Sequence, residues 1–163
     1  MKAVLAGLLL IFLSLGCVND MQSISIEKGD RIAVEYTGTL EDSTVFDSSA
    51  GRAPLEFEAG AGQMIKGFDA AVIRMKEGQE KNITIPPEEA YGAYDVNAVI
   101  EVPLASMPNG TQPGDTLYAA GRPVKVLEIR NETAMIDTNH PLAGKTLIFQ
   151  IKVISIQKAN STG

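Results

Sequence analysis

The sequence predicts an α+β protein that carries a small all-β insert, on three observations. Short runs alternating apolar and polar residues recur along most of the chain, only one stretch has a helical period, and the chain changes character after Tyr94. In order, Arg31 to Thr37 places Ile32, Val34 and Tyr36 on one face and Arg31, Ala33 and Glu35 on the other, the pattern of a half-buried strand. Asp42-Ser43 and Ser48 to Gly51 are loop signals around a short strand carrying Phe46, and Pro54 to Ala59 alternates again with Leu55 and Phe57 in phase. Gly60-Ala61-Gly62 then breaks the pattern. Ile65, Phe68, Val72 and Met75, spaced three and four apart, share one face of a predicted helix for which Gly78 is the expected stop. Lys81 to Ile85 reads as a strand ended by Pro86-Pro87.

Beyond Tyr94, strands are predicted at Ala98 to Leu104, Thr116 to Ala120, Val124 to Arg130 and Thr133 to Asp137, and a long last one at Thr146 to Ile156. Residues 98–138 are read as an all-β insert in a host domain formed by 26–97 and 139–158, with a disordered tail at 159–163. The insert carries Val99, Ile100, Val102, Leu104, Met107, Leu117, Tyr118, Met135 and Ile136. So many apolar residues in so small a piece require a core of its own or a sticky groove.

The chain has 163 residues, 45% of them hydrophobic and 21% charged, enough to bury a real core. A net charge of −6 with 14 scattered basic residues argues against a nucleic-acid binder, which needs clustered Lys and Arg for counterion release. The same charge argues against an electrostatic hold on anionic lipid. Met1-Lys2 followed by the apolar run Ala3 to Leu15 fits a signal h-region, too short to cross a bilayer as a helix. The run ends in Leu13-Ser14-Leu15-Gly16-Cys17, which resembles the lipobox of prokaryotic lipoproteins, with Ser14 where that motif usually has Leu. Residues 1–17 are therefore read as a signal with Cys17 the lipidation site, and 18–25 as a tether. An ordinary cleaved signal and an uncleaved anchor are the alternatives. The single Cys excludes an intramolecular disulfide and a Cys-built zinc site.

Five segments together resemble FKBP-type peptidyl-prolyl cis/trans isomerases. They are Val34-Glu35-Tyr36-Thr37-Gly38, Val45-Phe46-Asp47-Ser48-Ser49 with Pro54-Leu55-Glu56-Phe57, Ile65-Lys66-Gly67-Phe68-Asp69, Pro86 to Gly92, and Leu147 to Val153. The insert and the following Asn139-His140-Pro141-Leu142-Ala143-Gly144 are similar to the SlyD-like branch, in which an inserted flap acts as a chaperone module. The resemblance covers about residues 26 to 158. It implies an antiparallel twisted sheet wrapped on one short helix, isomerisation of X-Pro bonds in folding polypeptides, no cofactor and no metal. The chain is read as a monomer, and the N-terminal signal as placing it outside the cytoplasm.

The same resemblance assigns Tyr36, Asp47 and Tyr91 to catalysis, and Phe46, Leu55, Met64, Ile65, Phe68 and Phe149 to substrate binding. Phe68 would be the floor under the proline ring, with Phe46 and Phe149 the walls. The Ile65 amide and Tyr91 hydroxyl would hold substrate carbonyls. Asp47 would face the reacting carbonyl or order Tyr36, with Arg52 as its ion-pair partner. Read without the family, the aromatic residues are a core stripe, Asp47 is a turn residue and Arg52 a surface pair. A non-catalytic chaperone or partner-binding scaffold on the same fold is the alternative function. His140 is read as a loop residue with a satisfied ring. Glu88-Glu89, as neighbours on a strand, would point apart and so cannot form a glycosidase pair. Asn82, Asn109, Asn131 and Asn160 begin Asn-x-Ser/Thr triplets, acceptors only in a cell with the glycosylation machinery.

Overall fold

A computed structural model describes residues 24–159, so the signal-like segment, Cys17 and most of the tether lie outside the described residues, as do 160–163. The host sheet is built from β1 (Arg31–Thr39), β2 (Val45–Ser48), β3 (Leu55–Glu58), β4 (Glu80–Ile85) and β9 (Leu147–Gln157). Its order is β2-β1-β9-β4, all antiparallel, with β3 pairing the same edge of β1 as β2 does, end to end. Among the described residues the one α-helix, α1 (Lys66–Val72), packs Phe68 and Val72 onto this sheet, where Ile32, Val34, Phe57, Ile85, Leu147, Phe149, Ile151 and Val153 complete the core. The α+β class and the one-helix architecture are as the sequence predicts. Ala33, expected on the solvent face, is buried, because the β1–β9 register shifts between Ala33 and Val34 and breaks the alternation.

The helix is shorter than its apolar period. It ends at Val72, Ile73 turns extended and Arg74 takes a positive φ of 69°. Met75 is nevertheless buried, because the chain after the helix runs alongside Ile26. The Ile26 amide donates to the Met75 carbonyl, and Arg74 to that of Ile26, each at 2.8 Å. Gly78 is thus not the helix stop; at φ 77° it leads into β4, its amide donating to the Val153 carbonyl. Glu88 and Glu89 lie not on a strand but in a 3-10 turn, Pro87–Glu89, where Glu89 pairs with Lys66 at 3.5 Å.

Two buried carboxylates hold the connections. Asp69, in the first turn of α1, accepts the Gly60 and Gly62 amides at 2.7 and 2.9 Å and so pins the glycine-rich loop to the helix. Asp30, 1% exposed, accepts the Glu27 amide (2.8 Å), the Ala159 amide (3.0 Å) and the Lys158 ammonium (2.8 Å). Lys158 also reaches Glu27 and the Ser25 carbonyl, so Ala159 belongs to a tied chain end and not to a loose tail.

Burial opposes ionisation of Asp30, but the hydrogen bonds from Lys158, Glu27 and Ala159 outweigh it and hold the carboxyl below its usual range. A carboxyl depressed on folding contributes stability that is present above its unfolded value and lost as pH falls through the folded one. Asp30→Asn is expected to lose ~1–3 kcal/mol near neutral pH, where a buried charge-assisted network is broken. The gap to wild type should close on acidification below about pH 4, the unfolded carboxyl value. Melting temperature against pH for the two proteins checks this, and parallel curves would contradict it.

Between β4 and β9 the chain forms a second, four-stranded antiparallel sheet of β5 (Val99–Pro103), β6 (Thr116–Ala119), β7 (Arg122–Arg130) and β8 (Thr133–Asp137), in the order β5-β8-β7-β6. It has its own small core of Val124, Val126, Ala134 and Ile136, packed by Val102, Leu104, Met107, Leu117 and Ile129. The apolar surplus therefore divides. Part fills this core, while Ile100, Tyr118 (78%) and Leu127 remain exposed. Leu127 is the extra residue of a register shift between Val126 and Glu128. Ala120 and Gly121, both at positive φ, form the two-residue hairpin turn between the paired Ala119 and Arg122. Strand β6 thus stops one residue earlier, and β7 starts two earlier, than the sequence suggests.

Candidate active site

The aromatic residues of the host sheet meet at one place. Tyr36 projects from β1, Phe46 from β2, Phe68 from α1 and Phe149 from β9. Ring centroids lie 5.1 Å apart for Phe68–Phe149 and 5.5 Å for Phe46–Phe149, at 79° and 88°. Tyr36 stands 6.1 Å from Phe68 and 6.2 Å from Phe149, and Phe57 lies 6.0 Å from Phe68. Edge-to-face contacts of this kind lock ring orientation as well as position. Gly38 makes the convergence possible, since a Cβ there would fall 2.6 Å from Phe46 and 2.9 Å from Phe149. Leu55, Met64 and Ile65 are half-buried against the hydrophobic core that includes Phe68 and Phe149.

Ile65 caps the start of α1 in extended conformation, at φ −58° and ψ 144°. Its amide precedes the helical bonds and donates to no group among the described residues. A free amide beside an apolar cluster can receive a carbonyl.

Polar groups gather at Tyr36. Its hydroxyl donates to Asp47 at 2.5 Å, and Arg52 donates to the other Asp47 oxygen at 2.7 Å, to the Ser48 carbonyl and weakly to the Tyr36 oxygen at 3.5 Å. The Tyr36 hydrogen bond, aided by Arg52 and the Ser48 amide against a smaller burial effect, holds the Asp47 carboxyl below the usual carboxylate range. Burial, reinforced by the anionic Asp47, pushes the Tyr36 phenol up, so it stays a donor. Beneath them Ser49, buried, accepts the Tyr36 amide at 2.9 Å and fixes the bend after β2. A cavity of about 190 Å³ opens beside this group, lined by Tyr36, Ser49, Arg52, Ala53, Pro54, Leu55 and Glu56.

Of the expected site residues, Tyr36, Phe46, Phe68 and Phe149 meet ring to ring, Asp47 is tied in through Tyr36, Leu55 lines the cavity beside Tyr36, and Met64 and Ile65 pack on the hydrophobic core. Tyr91 does not join the cluster. It is 42% exposed on the turn after Glu89, and its ring lies flat on His140. Gly38 and Ser49 also shape the site, and both lie within the segments 34–38 and 45–49 that resemble the family. Cys17 lies outside the described residues. Among the described residues no three His, Cys, Asp or Glu are grouped to hold a metal, and no helix is long and apolar enough to cross a membrane.

Residues 22–154 match the family described as FKBP-type peptidyl-prolyl cis-trans isomerase. A short-type peptidyl-prolyl cis-trans isomerase of Methanocaldococcus jannaschii is 37% identical over 153 residues, 83% of this chain and 97% of that protein. The SlyD isomerase of Helicobacter pylori is 35% identical over 153 residues, spanning 86% of this chain and 80% of its own length. That of Treponema pallidum is 37% identical over 134 residues, 78% of this chain and 76% of its own length. With the fold and the aromatic cluster these matches agree, and the chain belongs to the FKBP-type peptidyl-prolyl cis/trans isomerase family and is a peptidyl-prolyl isomerase.

Proposed function

We propose that the X-Pro bond is isomerised over the aromatic cluster, with Tyr36, Asp47 and Tyr91 as the polar contacts. Phe46, Leu55, Met64, Ile65, Phe68 and Phe149 form the surface on which the proline ring rests. No bond is broken in this reaction. The barrier is the partial double bond of the amide, about 18–20 kcal/mol, and an enzyme lowers it by preferring the twisted amide over the planar one. The twisted amide has a less conjugated, less polar carbonyl, which an apolar surface accepts more readily than water does. The Ile65 amide would hold a neighbouring carbonyl. Asp47 would face the reacting carbonyl carbon while keeping the Tyr36 hydroxyl directed.

The observation that carries this reading is the Tyr36–Asp47–Arg52 group at the edge of four interlocked rings. Its test is the exchange rate of a short X-Pro peptide measured by NMR. Asp47→Ala and Tyr91→Phe are each expected to lower kcat/KM by about tenfold, equal to ~1.4 kcal/mol of transition-state stabilisation. A folded Asp47→Ala protein with wild-type kcat/KM would remove Asp47 from the site.

We also propose that the second sheet holds unfolded chains near the site, which raises the local concentration of prolines there. Exposed Ile100, Tyr118 and Leu127 support this. The apolar start and Cys17 support export with lipid anchoring to the outer face of the cell membrane, where the clients would be exported polypeptides. Labelling with a radioactive fatty acid, lost on Cys17→Ala, tests the anchor; an unlabelled wild-type protein would leave a plain signal as the account.

A further inference from the structure

The chain leaves the host sheet through Tyr91 and returns to it through the loop at 139–144, and the two passages touch. The rings of Tyr91 and His140 are stacked, with centroids 3.8 Å apart and planes 6° from parallel. Beside them the Gly144 amide donates to the Gly92 carbonyl at 2.8 Å. His140 is itself held by its loop. Its Nδ1 accepts the Leu142 amide at 3.1 Å, and its carbonyl accepts the Ala143 amide at 2.8 Å. Ala90, next to Tyr91, packs on the core cluster. An exposed tyrosine ring on a turn would otherwise be free to change rotamer; here one face lies on a fixed imidazole.

We propose that His140 is a positioning residue for the isomerisation, fixing the Tyr91 ring and hence its hydroxyl, and releasing it when Nδ1 takes up a proton. The inference rests on the reading of Tyr91 as a substrate contact. Only a neutral imidazole has an Nδ1 lone pair for the Leu142 amide. Protonation there sets two donors against each other and removes the bond that orients the ring. The charged and titratable groups sharing the cleft with His140 are Asp137, Lys125, Lys145 and Tyr94. Asp137 is already engaged by the Tyr94 hydroxyl at 3.0 Å and by Asn139. Partial burial lowers the His140 pKa below the ordinary imidazole value, so the ring is neutral and the stack anchored at neutral pH.

The test is kcat/KM for an X-Pro peptide by NMR exchange, from about pH 5 to 8 where imidazoles titrate. Wild type, His140→Ala, His140→Phe, Tyr91→Phe and the His140→Ala/Tyr91→Phe double variant are compared. His140→Ala should lower kcat/KM roughly two- to tenfold at neutral pH, the worth of one aromatic contact. His140→Phe offers a ring to stack but no Nδ1 for the Leu142 amide, so at neutral pH it should show the lowered rate of acidified wild type. Wild-type activity should fall on acidification through the imidazole range, and the Phe variant should not follow it. The double variant should be no worse than Tyr91→Phe alone.

If Tyr91→Phe is impaired while a folded His140→Ala retains wild-type rate and pH profile, the positioning role is overturned and Tyr91 keeps its place. An unimpaired Tyr91→Phe overturns the reading of Tyr91 itself. Should His140→Ala not fold, the Tyr91 ring resonances of wild type serve instead: they should shift as His140 titrates, and static resonances would overturn the proposal.

Discussion

Phe68→Ala is expected to cost ~3–5 kcal/mol of stability, the range for removing a buried aromatic ring. Phe68 is 1% exposed and touches Tyr36, Phe57 and Phe149, which project from three different strands of the host sheet. Removing it leaves those rings facing a void that α1 cannot close, because Gly67 already sits against Ile85, where a Cβ would come within 2.5 Å. Set against a typical total of 5–15 kcal/mol, the variant would be folded but marginal. Isomerase activity should drop with it, since three cluster residues lose a common support. Urea unfolding separates the two effects. Phe68→Leu, closer in volume, should keep all but roughly 1.5 kcal/mol and so report the site with the fold intact. A stability loss under about 1 kcal/mol for the alanine variant would mean that the ring is not part of the core.

Gly38→Ala sets two effects against each other. Replacing Gly within a strand gains up to about 1 kcal/mol by restricting the unfolded chain. The added methyl, however, would lie 2.6 Å from Phe46 and 2.9 Å from Phe149. Such overpacking costs ~1–3 kcal/mol, and here the clash wins, because Phe149 is buried on the long central strand and cannot retreat. Phe46, only half-buried, has to swing outward, taking one wall of the site with it. The net result should be a modest loss of stability, about 1–2 kcal/mol, beside a drop in kcat/KM of tenfold or more. A raised melting temperature with unchanged kcat/KM would show that Phe46 has another place to go.

Most of the host sheet was legible because a strand with one buried face must alternate, and Ile32, Val34, Leu55 and Phe57 do. The failures have physical causes. Met75 keeps the helical period although the helix has ended, because an extended segment bonded to Ile26 can also bury it. Ala33 is buried by a bulge, which leaves no mark in a two-residue pattern. The site residues could be placed by resemblance to the family, but their partners were not visible. Asp69 in the first turn of a helix looks like an ordinary solvent-facing acid, and Asp30 after a glycine looks like a turn. Each is buried through backbone amides, and amides carry no sequence signal. His140 meets Tyr91 only because the second sheet brings its two ends together, an encounter that no local spacing encodes.

That closure also bears on how the chain acquires its own fold. Strand β1 pairs with β9 along its length, from Arg31 against Gln157 to Thr39 against Ile148, so the central ladder joins nearly the two ends of the described chain. Contacts of such span slow folding. The second sheet pairs over shorter spans, β6 with β7 and β7 with β8 as sequence neighbours and β5 with β8 from Val99 against Asp137. At its base the Asp95 amide donates to the Asn139 side chain at 3.0 Å, and that side chain donates back to the Asp95 carbonyl at 2.9 Å. Once it has formed, the path between β4 and β9 is short. Each halving of a loop saves only ~0.6 kcal/mol in closure entropy, so the shortcut from Asp95 to Asn139, less than two halvings of the path from Ile85 to Leu147, saves about 1 kcal/mol. The inserted sheet is therefore expected to order first and act as a template that delivers β9 to β1 and β4, so that this isomerase depends during its own folding on the piece that interrupts it.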